Sequence, residues 1–358
     1  MWPKTDILDL FNLEVPIVQA PMAGASGAAI AAAACQAGAL GSLPCAMLSA
    51  DDMRAEIGAI RQHTNGPINM NFFCHQAAAD NPARQAAWKR ELAPFYEEHG
   101  LDLAAEVSAP DRAPFGEDAC TMVEELRPAV VSFHFGLPEA SLLERVRAVG
   151  AKVVSSATTV NEARWLAHKG CDAIIAQGFE AGGHRGMFLD DKIATQVGTM
   201  ALVPQVVDAI SVPVIAAGGI ADGRGIAAAF ALGAAAVQIG TAYLFTPEAL
   251  ITDLHRTALK DDAQDQTALT NIFSGRPARG VMNRGMQMVG PMSEDAPAFP
   301  TAGGALAPLK KAAEAEGKSD FTSLWSGQAA ALGQELDAMT LTRQLAEDAQ
   351  SILKSLSN

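Results

Sequence analysis

Short apolar runs alternate with helical patterns along most of the chain. The runs are mostly β-branched and alanine-rich, and most end in small or turn-forming residues. Such alternation is typical of parallel strands covered by helices. Eight runs are predicted as strands: 16–20, 39–43, 67–73, 129–133, 152–155, 172–176, 213–217 and 236–239. The pattern therefore predicts an α/β fold, a (β/α)8 TIM barrel.

Polar residues mark the start of two of the predicted helices. Thr159 and Glu162 have the spacing of a capping box ahead of a helix over 160–168, and Lys169 and Gly170 follow its end. Asp222 is predicted to cap the helix between the seventh and eighth strands in the same manner.

Two regions fall outside the strand–helix repeat. Residues 75–127 are predicted as a helical insertion between the third and fourth strands, with a charged helix over 81–99. Residues 247–358 have a Pro- and Gly-rich middle between helical patterns. We predict a barrel over 1–246 and a smaller, mostly helical region over 247–358 that forms a lid, its final helix packing back on the barrel.

Length and charge narrow the function classes. The chain has 358 residues, whereas a TIM barrel needs about 250, so the rest is insertion or extension. The formal net charge of −14 argues against nucleic acid or an anionic membrane as a partner. The five cysteines lack the spacing of a zinc site, and we predict free thiols and no metal. With no apolar stretch long enough to span a bilayer, we expect a cytoplasmic enzyme.

Glycines cluster after the last three predicted strands. The sixth strand runs into a loop over 177–186 that presents His184 among glycines, and the next two strands end in Gly218-Gly219 and Gly240-Thr241. In a TIM barrel the loops after strands seven and eight, with a helix N-terminus, form a phosphate site. Glycine also makes ordinary tight turns, but the pair in sequence order favours a phosphate-bearing ligand with one imidazole beside it.

Several segments carry a resemblance to a known family. They are 19–24, 69–73, 131–136, 177–186, 216–220, 238–241, 273–280 and 320–328, in this order along the chain. With these segments the sequence resembles the nitronate monooxygenases, formerly called 2-nitropropane dioxygenases. It is most similar to the class I branch, which carries both the Phe-His-Phe-Gly and the Ala-Gly-Gly-His segments. The resemblance implies FMN, bound non-covalently at the C-terminal mouth of the barrel.

The resemblance also implies roles for individual residues. It makes His184 the catalytic residue and His134 a substrate-binding residue across the same mouth; a hydrogen-bonded core histidine is the alternative for His134. A neutral imidazole at 184 would take the α-proton of a nitroalkane, and a protonated one would hold an anionic nitronate. The implied cofactor-binding residues are Ala20, Pro21, Met22, Asn71, Gln177, Gly182, Gly183, Gly218, Gly219, Gln238, Ile239, Gly240 and Thr241.

The implied activity is FMN-dependent oxidative denitrification of alkyl nitronates, such as propionate 3-nitronate, with O2, which gives a carbonyl compound and nitrite. The expected partners are this small substrate and O2, and the protein is expected as a monomer or homodimer. Two alternatives share the cofactor site: an NADH:quinone reductase or enoyl reductase on the same barrel, and a flavin-binding protein without catalysis.

The remaining charged residues and histidines are mostly expected to have surface or structural roles. Arg276 or Lys310 would supply a positive charge for a substrate carboxylate, although each is more typical of a surface or structural residue. Arg185 is expected as a solvated or ion-paired loop residue. Five histidines are expected at the surface: His63, His75, His99, His168 and His255.

Overall fold

Eight parallel strands form a closed barrel in this computed structural model, which describes residues 2–76, 79, 81–105, 112–261 and 266–357. The barrel strands are β1 (Ile17–Gln19), β2 (Gly41–Pro44), β3 (Ile68–Phe73), β4 (Val130–His134), β5 (Lys152–Ala157), β6 (Ala173–Gln177), β8 (Val214–Ala217) and β9 (Ala236–Ile239). Three more form a small sheet: β7 (Gly183–His184), β10 (Thr267–Thr270) and β11 (Ala278–Val281). The predicted TIM barrel is confirmed.

The barrel strands pair in the order β1-β9-β8-β6-β5-β4-β3-β2. A parallel bridge between Val18 and Leu40 joins the first strand to the residue ahead of the second, which closes the ring. The helices are α1 (Asp6–Phe11), α2 (Ala28–Gln36), α3 (Ala50–His63), α4 (Pro82–Glu98), α5 (Glu117–Leu126), α6 (Ala140–Ala148), α7 (Val160–His168), α8 (Thr199–Ala209), α9 (Gly223–Ala231), α10 (Asp253–Lys260), α11 (Arg284–Val289), α12 (Ala307–Ala315) and α13 (Ala338–Leu356).

Helix α1 closes the end of the barrel where the strands begin. Its Ile7 and Phe11 are buried in a cluster with residues from six of the barrel strands, such as Val18 and Ile215. These two apolar side chains, one helical turn apart, fill the barrel's lower opening. The functional site must therefore lie at the opposite end, where the strands finish.

The insertion between β3 and β4 packs against the chain's last third. Trp88 and Tyr96 of α4 are buried and donate hydrogen bonds to Ala302 O (3.1 Å) and Ala305 O (2.6 Å). We call this apolar cluster of α4, α11, α12 and the loops between them the second core. Parts of the predicted insertion, residues 77, 78, 80 and 106–111, lie outside the described residues.

The region after the barrel, predicted as mostly helical, also contributes two strands, β10 and β11. Strand β11 pairs antiparallel with β10 and with β7, which comes from the loop that carries His184. The pattern at 278–281 is too short and too mixed to predict a strand, and its partner lies nearly a hundred residues away in the chain. The division into a barrel and a lid stays a prediction.

Helix α13 returns to the outside of the barrel and lies against α9 and α2. Its Leu341, Leu345 and Ala349 are buried in the main core. The approach to α9 is close: a Cβ at Gly223 would stand 2.6 Å from Asp348 Cβ and 2.7 Å from Ala349 N. Only glycine fits at this position.

The two predicted helix starts differ in detail. Thr159 accepts a hydrogen bond from Glu162 N as predicted, but Glu162 does not return it to Thr159 N. Its buried carboxylate instead accepts from Thr158 N and Oγ1 (both 2.7 Å) and from Phe188 N (2.7 Å). Glu162 thus ties the loop after His184 to α7. Asp222 caps α9 by accepting from Arg224 N and Gly225 N.

The described part of the chain contains no helix that is both long and apolar enough to cross a membrane. All five cysteines are free, and burial raises the pKa of Cys35 to about 11 and of Cys171 to about 12. Such thiols stay protonated and behave as small apolar groups.

Candidate active site

His184 is held at the barrel mouth by the small sheet. It pairs with Ala278 across β7 and β11, and the next residue donates from its backbone N to Pro277 O (2.9 Å). The imidazole Nε2 lies 2.8 Å from Ser274 Oγ, and Ser274 also approaches Arg276 O (3.2 Å). Since Nε2 is taken, Nδ1 is the ring nitrogen left for a ligand.

Gln177 at the end of β6 fixes the same loop from below. Its amide Nε2 donates to His184 O (2.9 Å), and its Oε1 accepts from Gly186 N (2.7 Å). Both ends of the side chain are therefore engaged with the loop that carries the histidine. The predicted contact of Gln177 with a cofactor stays a prediction.

His134 at the end of β4 uses both ring nitrogens within the protein. Nε2 lies 3.1 Å from His184 O, and Nδ1 lies 3.1 Å from Ser156 Oγ. Because a carbonyl oxygen only accepts, Nε2 carries the hydrogen and Nδ1 accepts from the serine hydroxyl. His134 therefore positions the His184 loop, and neither of its nitrogens is free for a direct bond to substrate in this arrangement.

Arg185 is neither solvated nor ion-paired as expected. It is fully buried and donates to Gly178 O and Gln177 O (2.5 and 2.8 Å) and to Gln196 Oε1 (2.8 Å). Burial lowers its pKa to about 10, which still leaves it charged at neutral pH. The side chain braces the turn between β6 and β7, a role that a five-donor guanidinium suits.

Aromatic rings surround the exposed side of His184. The ring centroids of Phe299, Trp325 and Phe135 lie 5.5, 5.6 and 5.9 Å from that of the imidazole. Phe73, at the end of β3, lies 6.2 Å away. We call these four residues the aromatic wall. Phe135 adopts a positive φ of 69°, which is rare for a bulky residue and places strain at the site.

Two arginines stack on this wall. The Arg276 guanidinium carbon lies 4.3 Å from the centroid of Phe135, and that of Arg112 lies 5.7 Å from the centroid of Phe299. Arg276 Nη1 donates to Met187 O (3.2 Å), whereas the buried Nε of Arg112 has no hydrogen-bond partner. Sequence reasoning named Arg276 and missed Arg112.

Two histidines expected at the surface are buried. His75 is 4% exposed, its ring lies 4.7 Å from that of Phe299, and its Nδ1 has no hydrogen-bond partner. His255 is also buried, with Nε2 3.0 Å from Trp325 O. Both owe their burial to segments distant in the chain, so a local pattern gave no sign of it. His63 and His168 are exposed, and His99 is half-buried with its side chain largely covered.

The site histidines are held neutral. Burial, and then the charge of Arg112, lower the pKa of His184 well below its ordinary value. Burial lowers the pKa of His134 and of His75 to about 4, and the charge of Arg276 acts in the same direction on both. Burial also lowers the pKa of Arg112 and of Arg276. At neutral pH the positive charge of the mouth therefore resides on the two arginines.

Unpaired polar atoms and small residues mark one side of the mouth as a place for a ligand. Gln238 Oε1 and Asn69 Oδ1 are buried without a partner. Ala20 and Met22 are half-buried and face Gly240: a Cβ there would stand 3.5 Å from Ala20 Cβ and 3.6 Å from Met22 Sδ. Asn71 donates to Ser132 Oγ (2.9 Å). Buried polar atoms are almost always paired, so Gln238 Oε1, near the end of β9, fits a ligand that donates to it, whereas Asn69 Oδ1 lies near the start of β3, level with Val130.

Backbone conformation defines a second, glycine-lined part of the mouth. Gly218 and Gly219 have φ values of 108° and 70°, which residues with a Cβ rarely adopt. A 3-10 turn begins at Thr241, directly after Gly240, with no side chain capping it. The start of α9 is already capped by Asp222, so it contributes less to an anion site than predicted.

The chain's last third completes this cradle. Gly327 N donates to Thr241 Oγ1 (2.9 Å), and Gln328 N donates to Glu180 O (3.0 Å). A Cβ at Gly182 would stand 2.5 Å from Gly327 N. The sequence indicated residues 320–328 and Ser274 only through the family resemblance, in which both belong to matching segments.

The fold and the site together define a barrel enzyme with a neutral histidine at its mouth, set between aromatic rings and two arginines. A family model described as nitronate monooxygenase matches residues 4–348. The chain therefore belongs to the nitronate monooxygenase family and is an oxidoreductase. The resemblance found in the sequence is confirmed.

Relatives and solved structures match over the whole chain. The nitronate monooxygenase of Paraburkholderia phytofirmans is 41% identical over 99% of this chain and 97% of its own length. A nitroalkane oxidase from Streptomyces ansochromogenes superposes with a TM-score of 0.88 at 37% identity, covering 98% of this chain and 99% of that one. FabK from Thermotoga maritima superposes with a TM-score of 0.71 at 26% identity, covering 100% and 99%.

Proposed function

We propose that this protein is an FMN-dependent enzyme that oxidises alkyl nitronates, such as propionate 3-nitronate, with O2. The products are a carbonyl compound and nitrite. Two nitronate ions and one O2 give two carbonyl groups and two nitrite ions, so no outside reductant is consumed. The observation that carries the proposal is a neutral His184 with one free ring nitrogen, set between two arginines above a glycine-lined cradle.

Charge at the mouth favours an anionic substrate. A nitronate carries its negative charge on the nitro oxygens, and the two arginine guanidinium groups supply the matching positive charge. The aromatic rings keep water away from the same space, which strengthens the attraction. A neutral imidazole is the form that accepts a proton, so His184 Nδ1 also suits removal of the α-proton from a neutral nitroalkane.

The cradle fits one phosphate group and a flavin ring. Gly218, Gly219 and the start of the 3-10 turn at Thr241 offer backbone N–H groups, and Gln238 Oε1 is an unpaired acceptor. Bound there, FMN would supply the electron acceptor for the reaction. The chain's own residues would hold the nitronate against it and exclude water.

The test is anaerobic mixing of the purified, flavin-loaded protein with propionate 3-nitronate in one cuvette and NADH in another. We expect the flavin absorbance to change rapidly with the nitronate and to stay unchanged with NADH. Nitrite release on admission of O2 would complete the assignment. Full bleaching by NADH, with no response to nitronate, would move the protein to the reductase alternatives.

A substitution at His184 tests the role of the imidazole separately from flavin binding. In the His184→Asn variant, FMN should remain bound while the response to nitronate is lost. A variant that binds FMN and oxidises nitronate as fast as the unmodified protein would contradict the role proposed for the imidazole. Unchanged turnover together with absent flavin would contradict the cofactor.

A further inference from the structure

Two arginine side chains carry positive charge at the mouth of the barrel. His75, His134 and His184 are neutral, so the net charge comes from Arg112 and Arg276. No salt bridge among the described residues involves either arginine. A nitronate brings a single negative charge. The charge of Glu162 acts on Arg276, whereas no acidic group among the described residues acts on Arg112, so Arg112 is the arginine that lacks a counter-ion.

The two arginines stack on different rings of the aromatic wall. Arg276 stacks on Phe135, directly after β4, and its charge is felt by His134 at the end of that strand. Arg112 comes from the insertion and stacks on Phe299, next to the buried His75. The rings of Phe135 and Phe299 lie 5.5 Å apart, and the charges of both arginines act on His184, that of Arg112 more strongly.

Arg112 has the donor that remains to be satisfied. Its Nε is buried and makes no hydrogen bond, whereas Arg276 already donates to the carbonyl of Met187. A buried charged donor without a partner is costly, and most such groups in folded proteins have one. Nε and Nη of a guanidinium form a planar fork that matches the two oxygens of a carboxylate.

We propose that Arg112 binds the carboxylate of an acidic nitronate, while the nitronate group lies at His184 and Arg276. This rests on the nitronate oxidation proposed above and adds the residue that selects substrates with a second negative charge. The ring of Phe299, between Arg112 and His184, sets the spacing between the two anionic groups. Arg112 is a specificity-determining residue and takes no part in electron transfer.

The experiment compares two substrates that differ only in the proposed group. Propyl 1-nitronate has a methyl group where propionate 3-nitronate has its carboxylate. We expect Arg112→Gln to lower kcat/KM for propionate 3-nitronate by about 10- to 100-fold, the usual value of a hydrogen-bonded charge pair. For propyl 1-nitronate the change should stay within about threefold. Arg112→Lys keeps the charge without the fork and should fall between the two.

Arg284→Gln is the matched control. Arg284 also stacks on a phenylalanine, Phe95 of the second core, but its side chain is partly exposed and forms a salt bridge with Glu98. Its loss should leave both substrates unaffected. Equal losses for the two substrates in Arg112→Gln, or no loss for either, would overturn the proposal.

Binding of succinate separates this proposal from the proposed function. Succinate replaces the nitronate of propionate 3-nitronate by a second carboxylate and undergoes no oxidation. It should bind the flavin-loaded protein at least about tenfold more tightly than it binds Arg112→Gln, by titration calorimetry. If the unmodified protein oxidises neither nitronate but still binds succinate through Arg112, the function fails and the subsite stands. Failure of both, or equal binding of succinate by the two proteins, overturns the subsite.

Discussion

The two ends of the barrel are built from the same eight strands but differ in role: the lower end is packed with apolar side chains, and the upper end carries the candidate site. At the lower end, Ile7 and Phe11 of α1 meet apolar residues at the strand starts, and the space is filled. At the upper end β4 and β6 finish in His134 and Gln177, polar side chains that hold the loop carrying His184. The same backbone thus carries stability below and chemistry above, as barrel enzymes commonly do.

Hydrogen bonds to the loop over 177–186 explain how polar side chains are accommodated at the upper end of the barrel. Gln177, His134 and Arg185 all satisfy carbonyl groups or N–H groups of the loop over 177–186. The buried polar side chains therefore rigidify the loop that carries His184 instead of loosening the barrel. Arg112 Nε and Gln238 Oε1 are among the buried atoms of the described residues that have no partner.

The largest expected effect is a loss of activity after a substitution at the upper end of the barrel. We expect His184→Asn to lower kcat/KM for propionate 3-nitronate by about 100- to 10,000-fold, as removal of a positioned acid–base group does. The melting temperature should change little, because the side chain is only half-buried. Steady-state nitrite release and thermal unfolding measure the two effects. His168→Asn, on the exposed end of α7, is the control and should leave both unchanged.

The next largest effect is a loss of stability after a substitution at the lower end of the barrel. Phe11→Ala should lower the free energy of unfolding by about 3–5 kcal/mol, because the cavity cannot be refilled by a short helix. In the folded fraction kcat/KM should stay near that of the unmodified protein. Denaturant titration and nitrite release at low temperature test this, with Phe11→Leu as the milder control. A Phe11→Ala protein that is stable but inactive would show that the two ends are not separable.

Acid should weaken the upper end first. The pKa of His75 and of His134 is about 4 in the folded protein, whereas the unfolded value is about 6.5. Between these values the unfolded chain binds more protons, so stability is complete above about pH 6.5 and falls as the pH drops towards 4. We expect a loss of about 2–3 kcal/mol per histidine, measured by denaturant unfolding across this range.

The variant His134→Gln should flatten that pH dependence, because one of the histidines no longer takes up a proton. Phe11→Leu should keep the slope of the unmodified protein, since it alters the other end of the barrel. An unchanged slope in His134→Gln would contradict the neutral, buried state assigned to this ring.

The smallest effect concerns the phosphate cradle. Asp222→Ala removes the cap of α9 and should cost about 1 kcal/mol of stability. FMN affinity, measured by fluorescence titration, should change by less than about threefold if the phosphate lies at Gly218, Gly219 and Thr241. A large gain in affinity would mean that the freed N–H groups of α9 bind the phosphate instead.

Periodicity was sufficient to predict the barrel, because each strand–helix unit carries its own pattern. The strand predicted over 67–73 is β3 (Ile68–Phe73), and the helix predicted over 81–99 contains α4 (Pro82–Glu98). The glycine positions were also readable, since positive φ is a local property of Gly218 and Gly219. Local signals thus account for most of the fold and for the position of His184 in a mouth loop.

The rest of the site depends on contacts between distant segments. His75 is buried by Phe299, and Arg112 stacks on the same ring, although more than 180 residues separate that phenylalanine from either. Glu162 shows the same limit at short range: its capping-box spacing is correct, but tertiary contacts with Thr158 and Phe188 take the carboxylate. Spacing alone does not reveal which competing donor a buried carboxylate will accept.

Helix α13 follows every other described element in the chain, yet it covers α9 and α2, the second of which forms near residue 30. Until residues 338–356 are available, the faces of these two helices that α13 contacts have no cover, and Gly223 lacks the close contact with Asp348 and Ala349. A chain stopped before residue 338 keeps this apolar groove and is prone to aggregate or to be held by chaperones. The barrel wall is therefore completed only once α13 has been made and has docked.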